Sequence, residues 1–308
     1  MRFAVTYPMC RRTCDPELVS GRGVAMIARA AEAAGFDGVG FTDHPAPTQR
    51  WLDAGGHDAL DPFVALGFAA AATTTLRLVP NVVVLPYRNP FLVAKSAATL
   101  DVLSGGRFTL AVGVGYLEAE FAALGVDYDE RSDLCDEALE VIRAVWTSAE
   151  VSFTGRHFDA RGITARPRPV SAPPIWIGGN TGAARRRVAQ HGDGWCPFPA
   201  SPGLARTAGT AAIDSPARLA AGIADLRRRF DDANRDWSKL DVVFTNVFTN
   251  VEGGSPASEE FNADAYLAGL EQLTALGVTW VQIGLPDDSL AHVLDTIGRF
   301  QARVIDAS

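Results

Sequence analysis

The sequence predicts an α/β chain of the (β/α)₈ TIM-barrel class with insertions on its rim, and three observations predict it. Short β-branched runs alternate with longer Ala- and Leu-rich stretches of helical spacing, the signature of βα units on a parallel sheet. The alternation yields eight strands and eight helices within 308 residues, the size of one closed barrel whose functional groups sit on the loops after the strands. The first strand is followed by Pro8-Met9-Cys10, not by the glycine-rich turn of an open doubly wound sheet.

Strand one is Phe3-Ala4-Val5-Thr6-Tyr7. The first helix runs from Glu17 to Ala34, with Val24, Ile27, Ala28 and Ala31 at helical spacing and Gly35 as its stop. Strand two spans Gly38 to Thr42, and a helix from Pro62 to Thr74 leads to strand three, Leu78 to Leu85. Pro90 opens a helix ending at Ser104-Gly105-Gly106, and strand four is Phe108 to Val112. An irregular segment to Asp129 precedes a helix from Arg131 to Trp146 and a hairpin-like excursion from Val151 to Arg168. Strand five is Pro174 to Ile177, with its helix after Gly178-Gly179-Asn180, and strand six is Gly194-Trp195-Cys196. The Pro/Ser/Gly/Thr-rich loop from Pro197 to Ser215 is long enough for a lid. A helix from Pro216 to Ala233, strand seven at Val242 to Val247, a helix from Asp264 to Leu276, strand eight at Trp280 to Ile283 and a helix from Ser289 to Ile305 complete the set. One barrel domain over 1–308 is expected, with insertions at about 114–130, 151–170 and 197–215.

Composition narrows the function classes. With 47% apolar and 21% charged residues the chain is globular, and its net charge of −8, with Lys and Arg scattered, argues against nucleic acid as a partner. No apolar run approaches the length of a membrane span, and Met1-Arg2-Phe3-Ala4-Val5 enters a strand without a signal-peptide core, so a cytoplasmic protein is expected. Cys10 and Cys14 are spaced C-x₃-C, while Cys135 and Cys196 stand alone. No second close pair or histidine cluster accompanies them, so free thiols and no metal site are expected.

In a barrel, the residues just after strands face a ligand. Asp43-His44-Pro45 ends an apolar strand, presenting an acid and an imidazole that could hydrogen-bond a ring or handle protons; an Asp cap beside a surface His is the alternative. Ile177-Gly178-Gly179-Asn180-Thr181-Gly182 joins a strand to a helix carrying Arg185 and Arg186, which suits a phosphate at a helix N-terminus or simply a tight βα turn. Val112-Gly113-Val114-Gly115-Tyr116 offers flexible backbone against which a flat ring could lie. Glu118 and Glu120 follow it and, like Arg88 and Arg107, read most simply as solvated charges. Asn246 to Asn250 follow strand seven. Tyr7, Trp176 and Trp195 lie in or after strands and are candidates for the pocket wall.

Several segments together resemble the luciferase-like monooxygenase superfamily: Ala34-Gly35-Phe36-Asp37-Gly38-Val39 leading to Thr42-Asp43-His44; Leu85-Pro86-Tyr87-Arg88-Asn89-Pro90; Thr99 through Phe108; Gly113-Val114-Gly115-Tyr116 with Glu120-Phe121; and Pro173 through Asn180. The order and spacing match to about residue 196, most like the branch that uses coenzyme F-420, a deazaflavin. The resemblance implies an oxidoreductase with a ring stacked at the barrel mouth. A bulge in strand three, often with a non-prolyl cis peptide, would support the ring near Asn81-Val82. Asp43 and His44 would lie near ring and substrate, the Gly113–Tyr116 turn and Glu120 would line the cofactor, and Gly178, Gly179 and Asn180 would bind its phosphate. Specificity would lie in the excursion from Pro197 to Ser215. F-420 carries an acidic tail that Arg88, Arg185 and Arg186 could meet; FMN, with a monooxygenase activity, is the other cofactor expected, and a non-catalytic flavin-binding barrel is the remaining alternative. A small-molecule substrate, a homodimer and a separate reductase supplying reduced cofactor are the implied partners.

Overall fold

The computed structural model describes residues 1–8, 10–11, 14–246 and 255–307. The strands are β1 (Arg2–Thr6), β2 (Gly38–Gly40), β3 (Arg77–Leu78), β4 (Val83–Val84), β5 (Leu110–Gly113), β6 (Val151–Thr154), β7 (Asp159–Ile163), β8 (Ile175–Gly178), β9 (Gly194–Cys196), β10 (Asp241–Phe244) and β11 (Trp280–Gly284). Among the described residues, nine form one sheet in the order β3-β2-β1-β11-β10-β9-β8-β5-β4, every pairing parallel. Its two ends, β3 and β4, are halves of the same barrel strand, and a parallel bridge between Leu78 and Phe108 joins the β3 half to the chain entering β5. The order therefore closes into the barrel.

The helices that cover it are started by polar caps followed by proline. Asp61 accepts from the amides of Phe63 and Val64 before Pro62–Ala72, Asn89 from Phe91 before Pro90–Ser104, and Ser215 from Arg218 before Pro216–Asp232. Each pairs a cap with the residue whose missing N–H costs nothing at the first helical position. Side chains alternate between two cores, as a pleated strand requires. Phe3 and Val5 pack outward with Ile27, Ala31 and Leu66, whereas Ala4 points inward with Val79, Ala111, Trp176, Cys196, Val243 and Trp280.

Four sequence expectations change. Strand three is not continuous from Leu78 to Leu85: the chain leaves the ladder between β3 and β4, and the Asn81–Val82 peptide is cis. The first helix is broken, a 3₁₀ turn at Pro16–Val19 preceding Gly21–Ala33, because Ser20 caps the second piece through Gly23 N. Cys10 and Cys14 form a disulfide, their Cα atoms being 5.0 Å apart, while Cys135 and Cys196 are free and buried. Strand seven ends at Phe244, short of the expected Val247, since Thr245 and the buried Asn246, whose Nδ2 donates to Tyr266 O, leave the ladder; the candidates from 247 to 250 lie outside the described residues.

The rim segments carry structure of their own. Glu118–Ala123 is a short helix, β6 and β7 form an antiparallel hairpin, and Pro202–Thr207 is a helix in a loop closed at its base by an antiparallel bridge between Ala200 and Ile213. Among the described residues no helix is long and apolar enough to cross a membrane.

Candidate active site

His44 lies where the chain leaves β2, and its Nδ1 is 3.2 Å from Glu120 Oε2. Glu120 is fully buried and also accepts from the Ala46 amide at 3.1 Å and the Tyr87 hydroxyl at 2.9 Å. Burial pushes its carboxyl up, but the hydrogen bonds from His44, Ala46 and Tyr87 outweigh it and hold the group below its ordinary value. An ionised carboxylate only accepts, so Nδ1 of His44 donates and the neutral ring keeps its lone pair on Nε2. Glu120 is thus not the solvated charge that its position alone suggests; the resemblance places it beside the cofactor.

Asp43 is 4% exposed and accepts from the Val84 amide at 2.9 Å and from both terminal nitrogens of Arg88, at 2.5 and 2.9 Å. Arg88 reaches Asp61 as well, at 3.0 Å. Burial raises the Asp43 carboxyl while Arg88 and the Val84 amide oppose that rise. The pair fastens the end of β4 to the residue before His44, with both groups already committed to partners in the chain. Aromatic rings surround His44: Trp51 at 4.6 Å between centroids, His57 at 5.1 Å edge-on and Tyr116 at 6.1 Å.

On the neighbouring strand, Asn81 donates through Nδ2 to Thr6 Oγ1 at 3.2 Å and accepts from Gln282 Nε2 at 3.1 Å, a polar belt linking β1, the segment between β3 and β4, and β11. Val82 faces Gly113 and Gly178. A Cβ at 113 would lie 2.9 Å from Val82 Cγ2, and one at 178 would lie 3.5 Å from Val82 Cγ1, so these glycines leave room for an apolar platform at the mouth. Val114 packs against the outer core, and Gly115, at φ +77, turns the chain toward Tyr116. A cavity of about 610 Å³ opens at the rim between Arg11, Cys14, Asp15, Leu52, Gly55, Asp287 and Asp288, within the range of small-molecule sites.

Three wall candidates sit elsewhere. Tyr7 is turned to the helix layer, its hydroxyl donating to Leu18 O at 2.7 Å and its ring stacked 4.5 Å from Phe41. Trp195, fully buried, donates to Gly179 O and abuts Gly222 of the covering helix. Trp176 points inward but packs edge-on against Trp280 at 5.2 Å, filling the barrel interior. One-residue parity decides these faces, and Thr6 takes the inward place expected of Tyr7.

The Gly178–Asn180 turn is more occupied than expected. Gly179 N donates to Cys196 O and Asn180 N to Thr210 Oγ1. The buried Asn180 side chain donates to Phe198 O and Ala211 O and accepts from Phe198 N, which fastens the 197–215 loop. Anion-binding amides would then come from the first turn of Gly182–His191, whose cap is Thr181. Arg185 is bound to Asp225 and Asn180 O, and Arg186 to Asp136, so neither is an uncommitted cation. Trp51, His57, Tyr87, Thr6 and Gln282 were given no site role by the sequence.

A model of the family described as luciferase-like monooxygenase matches residues 1–276. An uncharacterised protein of Mycobacterium tuberculosis is 33% identical over 183 residues, which cover 55% of this chain and 62% of that relative. The F-420-dependent glucose-6-phosphate dehydrogenase of Beutenbergia cavernae is 38% identical over 170 residues, covering 54% of this chain and 49% of the relative. The matches thus span less than two thirds of these relatives' length. A solved F-420-dependent secondary alcohol dehydrogenase, in complex with an F-420–acetone adduct, superposes with a TM-score of 0.76 at 18% identity, covering 100% of this chain and 99% of that one. At that identity the likeness shows the fold.

Proposed function

The chain belongs to the luciferase-like monooxygenase family, and on that premise we propose that it is an oxidoreductase moving a hydride between bound coenzyme F-420 and a small organic substrate, with His44 as the proton acceptor or donor. The observation that carries this reading is the His44–Glu120 pair. Glu120 holds Nδ1, which leaves Nε2 as a base beside the mouth, where a substrate hydroxyl could give up its proton. Val82, seated between Gly113 and Gly178, offers a platform that fits a flat ring, and the first turn of Gly182–His191 fits its phosphate. When bound, the deazaflavin supplies a carbon that takes or gives hydride and does not activate oxygen readily. Trp51 and Tyr116 exclude water from the His44 ring, and Asp43 with Arg88 keeps the strand end beneath it in place. The F-420-dependent glucose-6-phosphate dehydrogenase that is 38% identical over 170 residues supports this choice of cofactor. The proposal includes a cytoplasmic homodimer.

A second reading, an FMN-dependent monooxygenase fed reduced flavin by a separate reductase, is favoured by one observation. Arg88, Arg185 and Arg186, the cations expected to meet the acidic F-420 tail, are all paired with carboxylates of the chain. The test is anaerobic mixing of the protein with oxidised F-420 and a panel of secondary alcohols, following the deazaflavin absorbance. Bleaching is expected, slowed about a hundredfold in His44→Gln with cofactor affinity unchanged within a few-fold. Product formed only with reduced FMN and oxygen would select the second reading.

A further inference from the structure

We propose that His57 is the exit for the proton that His44 takes up, a positioning and relay residue acting through His44; this rests on the proposed role of His44. The two imidazoles meet edge to face, centroids 5.1 Å apart, and both touch the Trp51 ring, His57 at 5.4 Å. Each ring has its tautomer set by an acceptor on Nδ1. For His44 the acceptor is Glu120 Oε2; for His57 it is the Asp58 carbonyl at 3.2 Å, to which Nδ1 must donate. Both neutral rings therefore carry the lone pair on Nε2, so either can receive a proton that the other releases.

The surroundings separate the two roles. His44 is held by a fully buried carboxylate, whereas His57 is partly exposed, next to exposed Asp58 and two residues from Gly55, which lines the 610 Å³ cavity. The charged and titratable groups facing His57 are His44, Arg11 from the loop after β1, and its neighbour Asp58. Burial lowers the His57 pKa, and His44 and Arg11 lower it further against the opposing pull of Asp58 and its carbonyl. A ring that charges reluctantly holds a proton only in passage, and two adjacent imidazolium charges repel, so the proton is on one ring at a time. The transfer is balanced. The O–H bond of a substrate hydroxyl breaks as N–H forms on His44 Nε2; that proton goes to His57 Nε2, directly or through one water, and then to solvent or a buffer base.

Two measurements test the relay. The first needs neither cofactor nor substrate, so it can fail independently of the hydride reading. Long-range ¹H–¹⁵N spectra of the imidazoles should show His57 in its Nδ1–H form, titrating at a pH at least about half a unit higher in His44→Gln than in the native chain. Superimposable His57 titrations would overturn the coupling. The second is turnover of F-420 with secondary alcohols in His57→Gln. A loss of about tenfold in dilute buffer, restored by added imidazole that leaves the native rate unchanged, is expected. A loss that imidazole does not restore would mark His57 as structural and overturn the relay.

Discussion

Glu120 gives His44 its direction. A carboxylate with no exposed surface accepts from an imidazole, an amide and a phenol at once, and only the imidazole has a second nitrogen left for other work. Glu120→Gln keeps the shape but can donate to Nδ1, which would turn the ring to the opposite tautomer. We expect turnover to fall about a hundredfold with the fold retained, read as kcat beside a circular dichroism melt; an unchanged kcat would detach Glu120 from the reaction. Glu32 makes a contrasting use of a carboxylate, accepting from the amides of Thr74, Thr75 and Leu76 and the Thr75 hydroxyl at the entry to β3. Burial opposes this, yet the hydrogen bonds lower its pKa from 4.5 to about 2. A folded value below the unfolded one means that its stabilisation is present above pH 4.5 and is lost as pH falls toward 2. Glu32→Gln should cost about 1 kcal/mol at neutral pH and flatten that part of the acid unfolding curve.

Among the elements, the interrupted third strand organises the mouth. Because the chain leaves the ladder between Leu78 and Val83, Asn81 turns inward to Thr6 and Gln282 while Val82 fills the space that Gly113 and Gly178 leave open. Gly113→Ala would press a Cβ to 2.9 Å from Val82 Cγ2, whereas a Cβ at Gly284, on the same rim, meets nothing within 4 Å. Gly113→Ala should therefore lower stability by about 1–3 kcal/mol and weaken cofactor binding, with Gly284→Ala within about 0.5 kcal/mol of the native chain; chemical denaturation of both checks this. Helix starts such as Asp61-Pro62, Asn89-Pro90 and Ser215-Pro216 were readable because cap and proline are local signals. Strand faces were not. A barrel strand is apolar on both sides, so Phe3-Ala4-Val5-Thr6-Tyr7 carries no alternation to say that Tyr7 faces the helices.

For the whole molecule, the barrel and its family were legible from the eightfold βα alternation and from segments such as Thr42-Asp43-His44, and residues 1–276 carry the family pattern. From the residues alone, the site was legible only where they follow a strand directly. By spacing alone Glu120 looks like any helical acid and only the family resemblance puts it at the mouth, its partners becoming visible with burial, whereas Trp51 and His57 lie in a stretch without periodicity that only the closed barrel brings against His44. The same closure makes Trp51 the tryptophan that reports on the mouth, since Trp176 and Trp195 are committed to the interior and to a covering helix. The most direct test of the central claim is therefore a fluorescence titration of the native chain and of Trp51→Phe with F-420 and with FMN. The account predicts tight, saturable quenching by F-420, much weaker quenching by FMN, and loss of most of the signal in Trp51→Phe. Tighter binding of FMN, or binding of neither, would contradict it.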